Sequence, residues 1–154
     1  MYHLTEKEDR LTALDEAHRV LMKGGFLLAV IISRFASALD GLFEGFLDDP
    51  QFARIVERDL IDGQHRNPRD NLFYWMTAYF HRPEELKTEV EEAGLRHEMT
   101  LAIDGPGWLL QNFEGHWNDE GRRARLLDVI RKTENEPSML GVSAHVMGVA
   151  RKNS

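Results

Sequence analysis

Apolar residues first recur at helical spacing: Leu11, Leu14, Ala17, Val20 and Leu21, with charges between them, predict a helix near the start of the chain. Thr5 and Glu8 have capping-box spacing at its beginning. Gly24 and Gly25 close it, because glycine readily takes the left-handed cap conformation. The pattern then changes character. In HRVLMKGGFLLAVIIS, residues 26–32 are apolar without alternation, which predicts a strand covered by helices on both faces.

From 35 to about 62 the spacing is helical again. Leu39, Leu42, Phe43, Phe46 and Leu47 form one stripe, Pro50 breaks it, and Phe52, Ile55, Val56 and Leu60 form the next. DGQHRNPRDN reads as a polar loop carrying Gly63, Asn67 and Pro68. Pro83 suits the first turn of a helix through PEELKTEVEEAG, with Leu86, Val90 and Ala93 inward and Gly94 as its stop. Strands are predicted at 95–103 and 140–150, separated by a Gly105-Pro106-Gly107 turn and a mostly helical stretch over 108–133. Helix and strand alternate, so the class is α/β.

One strand poses a topological question. A doubly covered strand normally has a partner on each edge. Neither of the two later strands precedes the first helix, where a right-handed strand–helix–strand unit needs its opening strand. The first strand is therefore expected to have a bare edge, or to be completed by something outside this chain.

Composition narrows the classes. The 154 residues suit one domain, and 42% hydrophobic with 29% charged residues suits a globular one. A net charge of -7 argues against a nucleic-acid partner, which needs clustered Lys and Arg. There are no cysteines, hence no disulfide, thiolate nucleophile or Cys-ligated metal. No signal-like apolar segment opens the chain, and no run approaches the roughly 20 residues that span a bilayer. A cytoplasmic protein without a membrane partner is the expectation.

The segment EAHRVLMKGGFLLAVIIS resembles the helix–turn–strand at the middle of class I S-adenosylmethionine-dependent methyltransferases. YFHRPEELKTEVEEAGL is similar to the later part of the same family, where a P-E-E-L helix ends in A-G before the sixth strand. YHLTEKEDRLTALDEAHRVL resembles the stretch after the fourth strand in its small-molecule members, and GVSAHVMGVARK fits the antiparallel seventh strand. The resemblance covers residues 2–152. It implies the C-terminal half of a Rossmann-like methyltransferase sheet, with strands equivalent to the fifth, sixth and seventh and helical lid insertions. Residues 1–154 would then be a single partial domain. The E/D-x-G-x-G-x-G loop that binds the cofactor in the N-terminal half of the family has no match here, and Lys23 stands where a proline usually precedes the glycine pair.

The implied cofactor is S-adenosylmethionine and the implied partner a small-molecule methyl acceptor, with no cofactor-binding residue expected in this chain. By the resemblance the acceptor pocket is shaped by loops at the carboxyl ends of the strands. Tyr2 and His3 would follow the missing fourth strand, His3 as base or as a residue leading into the helix. Ser33, Arg34 and Phe35 follow the fifth, with Arg34 gripping an anionic substrate group or forming a surface ion pair. Tyr79, Phe80 and His81 line the pocket or pack at a helix start. The helices over 35–62 are lid or core. His65, His97, His116 and His145 show no metal-ligand spacing, and Trp75, Trp108 and Trp117 read as core or partner-facing bulk. Such a chain would act as an enzyme portion inactive alone, completed by an N-terminal-half partner. The alternative is a non-enzymatic α/β module that self-associates as a homo-oligomer or binds a partner through its bare strand edge.

Overall fold

The computed structural model describes residues 1–67, 74 and 76–153. Trp75, Pro68 and the end of the polar loop lie outside these. The class is α/β: five strands form one open mixed sheet, compatible with a Rossmann-like arrangement. Helix α1 (Lys7–Val20) leads to β1 (Phe26–Ser33). Helices α2 (Ala36–Glu44) and α3 (Pro50–Asp62) follow; the first stripe ends earlier than expected, at Gly45 with φ 76°, one tight turn spans 46–48, and Pro50 opens the second helix. Then come β2 (Gln64–His65), β3 (Ala78–His81), α4 (Pro83–Glu92) and β4 (Leu95–Ala102). The last elements are α5 (Phe113–Trp117), α6 (Glu120–Thr133) and β5 (His145–Lys152).

The strand order is β2-β3-β1-β5-β4. β5 runs antiparallel to both neighbours, pairing with β1 from Phe26↔Arg151 to Ile32↔His145. On its other edge β1 meets β3 in parallel at Ile32↔Phe80 and Ser33↔His81. Residues 26–31 therefore present an open edge among the described residues. Tyr2 lies where that edge meets β3, its carbonyl accepting from the Tyr79 N–H at 2.8 Å.

The largest core cluster sits on one face of the sheet, and a smaller one of Ile32, Ala36, Ala78 and Phe80 on the other. Leu27, Ala29 and Ile31 of β1, with Val146 and Ala150 of β5, pack against Leu14 of α1 and Leu86 and Val90 of α4. A Cβ at Gly148 would come within 2.8 Å of the Leu86 side chain, so α4 lies directly on β5. Buried Arg10 joins the two helices through a bidentate pair with Glu89, the closest contact being 2.7 Å.

The opposite face corrects the expectation of helices on both sides. Residues paired directly across strands share a face, so Leu28, Val149 and Met99 form one row and Val30, Met147 and Leu101 the next. Phe26 is 58% exposed, Leu28 60% and Met99 48%. The unalternating apolar run encodes two apolar faces; among the described residues the second is covered at the carboxyl end of β1, where Ile32 packs with Ala36 of α2, Ala78, Phe80 and Tyr2, and is open around Phe26, Leu28 and Met99.

Smaller departures have local causes. Thr5 and Glu8 do not cap α1; Glu6 occupies the N-cap without a side-chain bond, and Thr5 donates to Glu6 instead. The short strands β2 and β3 arise where only a loop and a helix approach were expected. The closing strand begins at His145, because residues 140–142 form one helical turn. Residues 108–133 hold two separate helices and part of a one-turn helix over 105–109. No helix among the described residues is long and apolar enough to cross a membrane.

Candidate functional site

The carboxyl ends of β1 and β4 and the amino end of β5 converge at one end of the sheet, and a hydrogen-bond lattice fixes them. Ser33 donates its N–H to the Ala144 carbonyl and its Oγ to the Gly141 carbonyl, at 2.9 and 2.8 Å. Ser143 Oγ donates to the His145 carbonyl at 2.6 Å and accepts from the N–H groups of Asp104 and Gly105, each at 3.0 Å. Trp108 Nε1 donates to the Val142 carbonyl at 2.8 Å.

On this frame stand Asp104, just after β4, and His145, opposite Ile32 on the face of the sheet away from α1 and α4. Asp104 Oδ2 accepts from the His145 main-chain N–H at 2.9 Å and meets His145 Nδ1 at 3.0 Å. A carboxylate only accepts, so Nδ1 carries the proton and a neutral ring keeps its lone pair on Nε2. The bond to Asp104 raises the His145 pKa above its ordinary value. For Asp104, burial acts upward, but the bonds from the His145 side chain and main chain outweigh it and the carboxyl is held low. The Tyr2 ring lies edge-on to His145 with centroids 6.4 Å apart, and His3 rests against Tyr2 at 4.6 Å. Asp104 also lines a cleft of ≈ 470 Å³ walled by Trp108, Phe113 and Trp117.

The structure thus brings Tyr2 and His3 to one cluster, His3 exposed and Tyr2 partly buried. Arg34 and Tyr79 belong to another. Arg34 is 3% exposed, and its guanidinium donates to the Phe80 carbonyl at 2.7 Å, Tyr79 Oη at 3.2 Å and Glu85 at 2.9 Å. It is a buried brace between β3 and α4, neither a surface ion pair nor a group turned to solvent. Arg10 covers the Tyr79 ring at 3.9 Å. Burial, followed by the Glu85 charge, raises the Tyr79 pKa. Phe35 precedes α2, packs close to Gly141 and has the Arg82 guanidinium 5.7 Å above its ring.

Sequence reasoning missed Asp104 and passed over His145 as one of several scattered histidines. They lie 41 positions apart and meet only through the pairing of β4 with β5. The available signal was positional: one follows and the other opens a strand of the same pair. Another buried chain links Ser37 Oγ to Asp59 Oδ2 at 2.6 Å and that oxygen to His65 Nδ1 at 2.7 Å. His65 Nε2 lies 2.9 Å from the Tyr74 carbonyl, and its ring stacks on Phe80. Fully enclosed, it ties α2, α3 and β2 together. Helices α2 and α3 have their own small core around Phe52, Ile55, Val56 and Tyr74.

The glycine turn after β4 invites comparison with a cofactor cradle, and it does not fit an adenosyl cofactor. Its Gly105 N–H is bonded to Ser143 and its Gly107 N–H to the Asp104 carbonyl. A Cβ at Gly107 would lie 2.9 Å from Ile130, so the turn is packed onto α6. Among the described residues no group of three or more His, Asp or Glu could hold a metal ion.

No protein-family model matches the sequence. Protein pad-1 of Caenorhabditis briggsae, a curated protein, is 29% identical over 105 residues, which is 66% of this chain and 4% of that protein. The similarity therefore spans a small fraction of that relative's length, and its name describes no activity.

Proposed function

We propose that this chain is the acceptor-side portion of an S-adenosylmethionine-dependent methyltransferase acting on a small molecule, inactive until completed by a cofactor-binding portion. One observation carries the reading: an α/β sheet whose antiparallel closing strand is in place, but in which, among the described residues, β1 has no partner strand along 26–31 and Phe26, Leu28 and Met99 stand exposed on the reverse face. A further strand along residues 26–31 and helices over Leu28, Val149 and Met99 would satisfy both at once. The resemblance assigns that missing part the glycine-rich cofactor loop. It also assigns the acceptor to the end of the sheet where Tyr2, His3, Asp104 and His145 gather.

Calorimetric titration of residues 1–154 with S-adenosylmethionine is expected to show no binding. A protein completed with the polypeptide encoded directly upstream is expected to bind it and to transfer methyl groups. Tight binding by residues 1–154 alone, or none by the completed protein, overturns the reading.

The uncovered face also favours a second reading, a non-enzymatic module that pairs with itself or another chain. Sedimentation separates the two. Reversible self-association that persists in the completed protein favours the module, and its loss on completion favours the enzyme portion.

A further inference from the structure

We propose that His145, oriented by Asp104, is the proton acceptor of this site, and that the molecule it serves carries an O–H or N–H group that is protonated at neutral pH. The methyl-acceptor identity of that molecule rests on the reading above; the proton-accepting role rests on the geometry of the two side chains.

Three features carry it. Asp104 Oδ2 grips His145 at both its main-chain N–H and Nδ1, so ring position and tautomer are fixed together. His145 is partly exposed, and its Nε2 is neither hydrogen-bonded among the described residues nor buried. The imidazole stands at the carboxyl end of β1 on the face of the sheet opposite α1 and α4, partly exposed and beside the Tyr2 ring. The titratable groups placed against it among the described residues are Asp104 from the turn after β4 and Tyr2 from the amino-terminal segment, with His3 behind the Tyr2 ring. Asp104 supplies the charge that acts on the ring.

The step is a proton transfer. The O–H or N–H bond of the bound molecule breaks and its proton goes to the Nε2 lone pair. The bonding electrons stay on the oxygen or nitrogen, and the imidazolium that forms is held against the Asp104 carboxylate. The freed electron pair is the nucleophile. An acceptor that is already a free nucleophile, such as a thioether, has no use for this pair, and this sets the acceptor class.

The test uses nitrogen-15 NMR of the ring in residues 1–154. The expected result is an Nδ1–H tautomer that titrates above the ordinary histidine value of about 6.5. In Asp104→Asn, which keeps an acceptor oxygen but loses the charge, the midpoint is expected to fall. An Nε2–H tautomer, or a midpoint that Asp104→Asn leaves in place, overturns the proposal. In the completed protein, His145→Gln is expected to lower methyl transfer about 10²- to 10⁴-fold and to remove the decline of rate at low pH, with donor binding unchanged. Full activity of that variant also overturns the role. If the completed protein binds no methyl donor while the ring behaves as expected, the methyl-acceptor reading fails and the proton acceptor stands.

Discussion

At the residue scale, buried charge is concentrated around Glu89. Its carboxylate faces Arg10 and, at 3.4 Å, His81 Nε2, and all three side chains are enclosed. Removing one partner leaves the other charge buried and uncompensated, so Glu89→Ala is expected to cost about 3–5 kcal/mol in urea denaturation. The same groups set the acid response. Burial holds His81 below its ordinary value of 6.5, so as pH falls through that window the unfolded chain takes up a proton that the folded chain refuses. Burial alone would raise Glu89, but the bonds from His81 and Arg10 bring it from 4.5 to about 2, a contribution that is present above 4.5 and lost as pH falls to 2. His145 acts in the opposite sense. Its raised pKa gives stability that is full below 6.5 and lost as pH rises through the folded value. Thermal melts should therefore decline steeply below pH 5. In Asp104→Asn the rise on going from pH 8 to 6 should shrink; an unchanged profile contradicts the assignment. None of this was legible in the sequence, because Arg10 and Glu89 are 79 positions apart.

At the scale of elements, local patterns were read well and partner-dependent ones were not. β1, the start of α3 at Pro50 and the stop of α4 at Gly94 follow from spacing and backbone preference alone. Two-residue β2 and four-residue β3 have no such signal. They exist because Gly63 and Tyr2 supply carbonyls to the Phe80 and Tyr79 N–H groups. Gly63 shows how tightly this junction is built. Its φ is +74°, and a Cβ there would lie 2.3 Å from the Phe80 carbonyl oxygen. Gly94 has the same φ but only His18 nearby, at 3.5 Å. Gly94→Ala should cost about 1 kcal/mol, whereas Gly63→Ala should detach β2 and β3 and lower the melting temperature far more. Comparable melting temperatures for the two variants would contradict this.

For the whole molecule, the sheet is an α/β layer finished on one side. The sequence spelled out both apolar faces in residues 26–32, which is why alternation was absent. What it could not convey is that the described chain covers one of them along its length and the other near Ile32, where Ala36 of α2 packs. Leu28→Lys with Met99→Lys should leave the urea midpoint within about 0.5 kcal/mol of the parent in stability terms, because both sites are exposed. It should also suppress hydrophobic-dye binding and abolish assembly with the completing portion. A large loss of stability would mean that the face is already covered. The hydrogen bond at Tyr2 has a practical corollary for anyone handling the protein. An affinity tag fused ahead of Met1 would start from a half-buried terminus packed against the main core, and would disturb the segment whose Tyr2 carbonyl holds β3. A purification handle joined after the exposed Asn153 would leave that segment undisturbed.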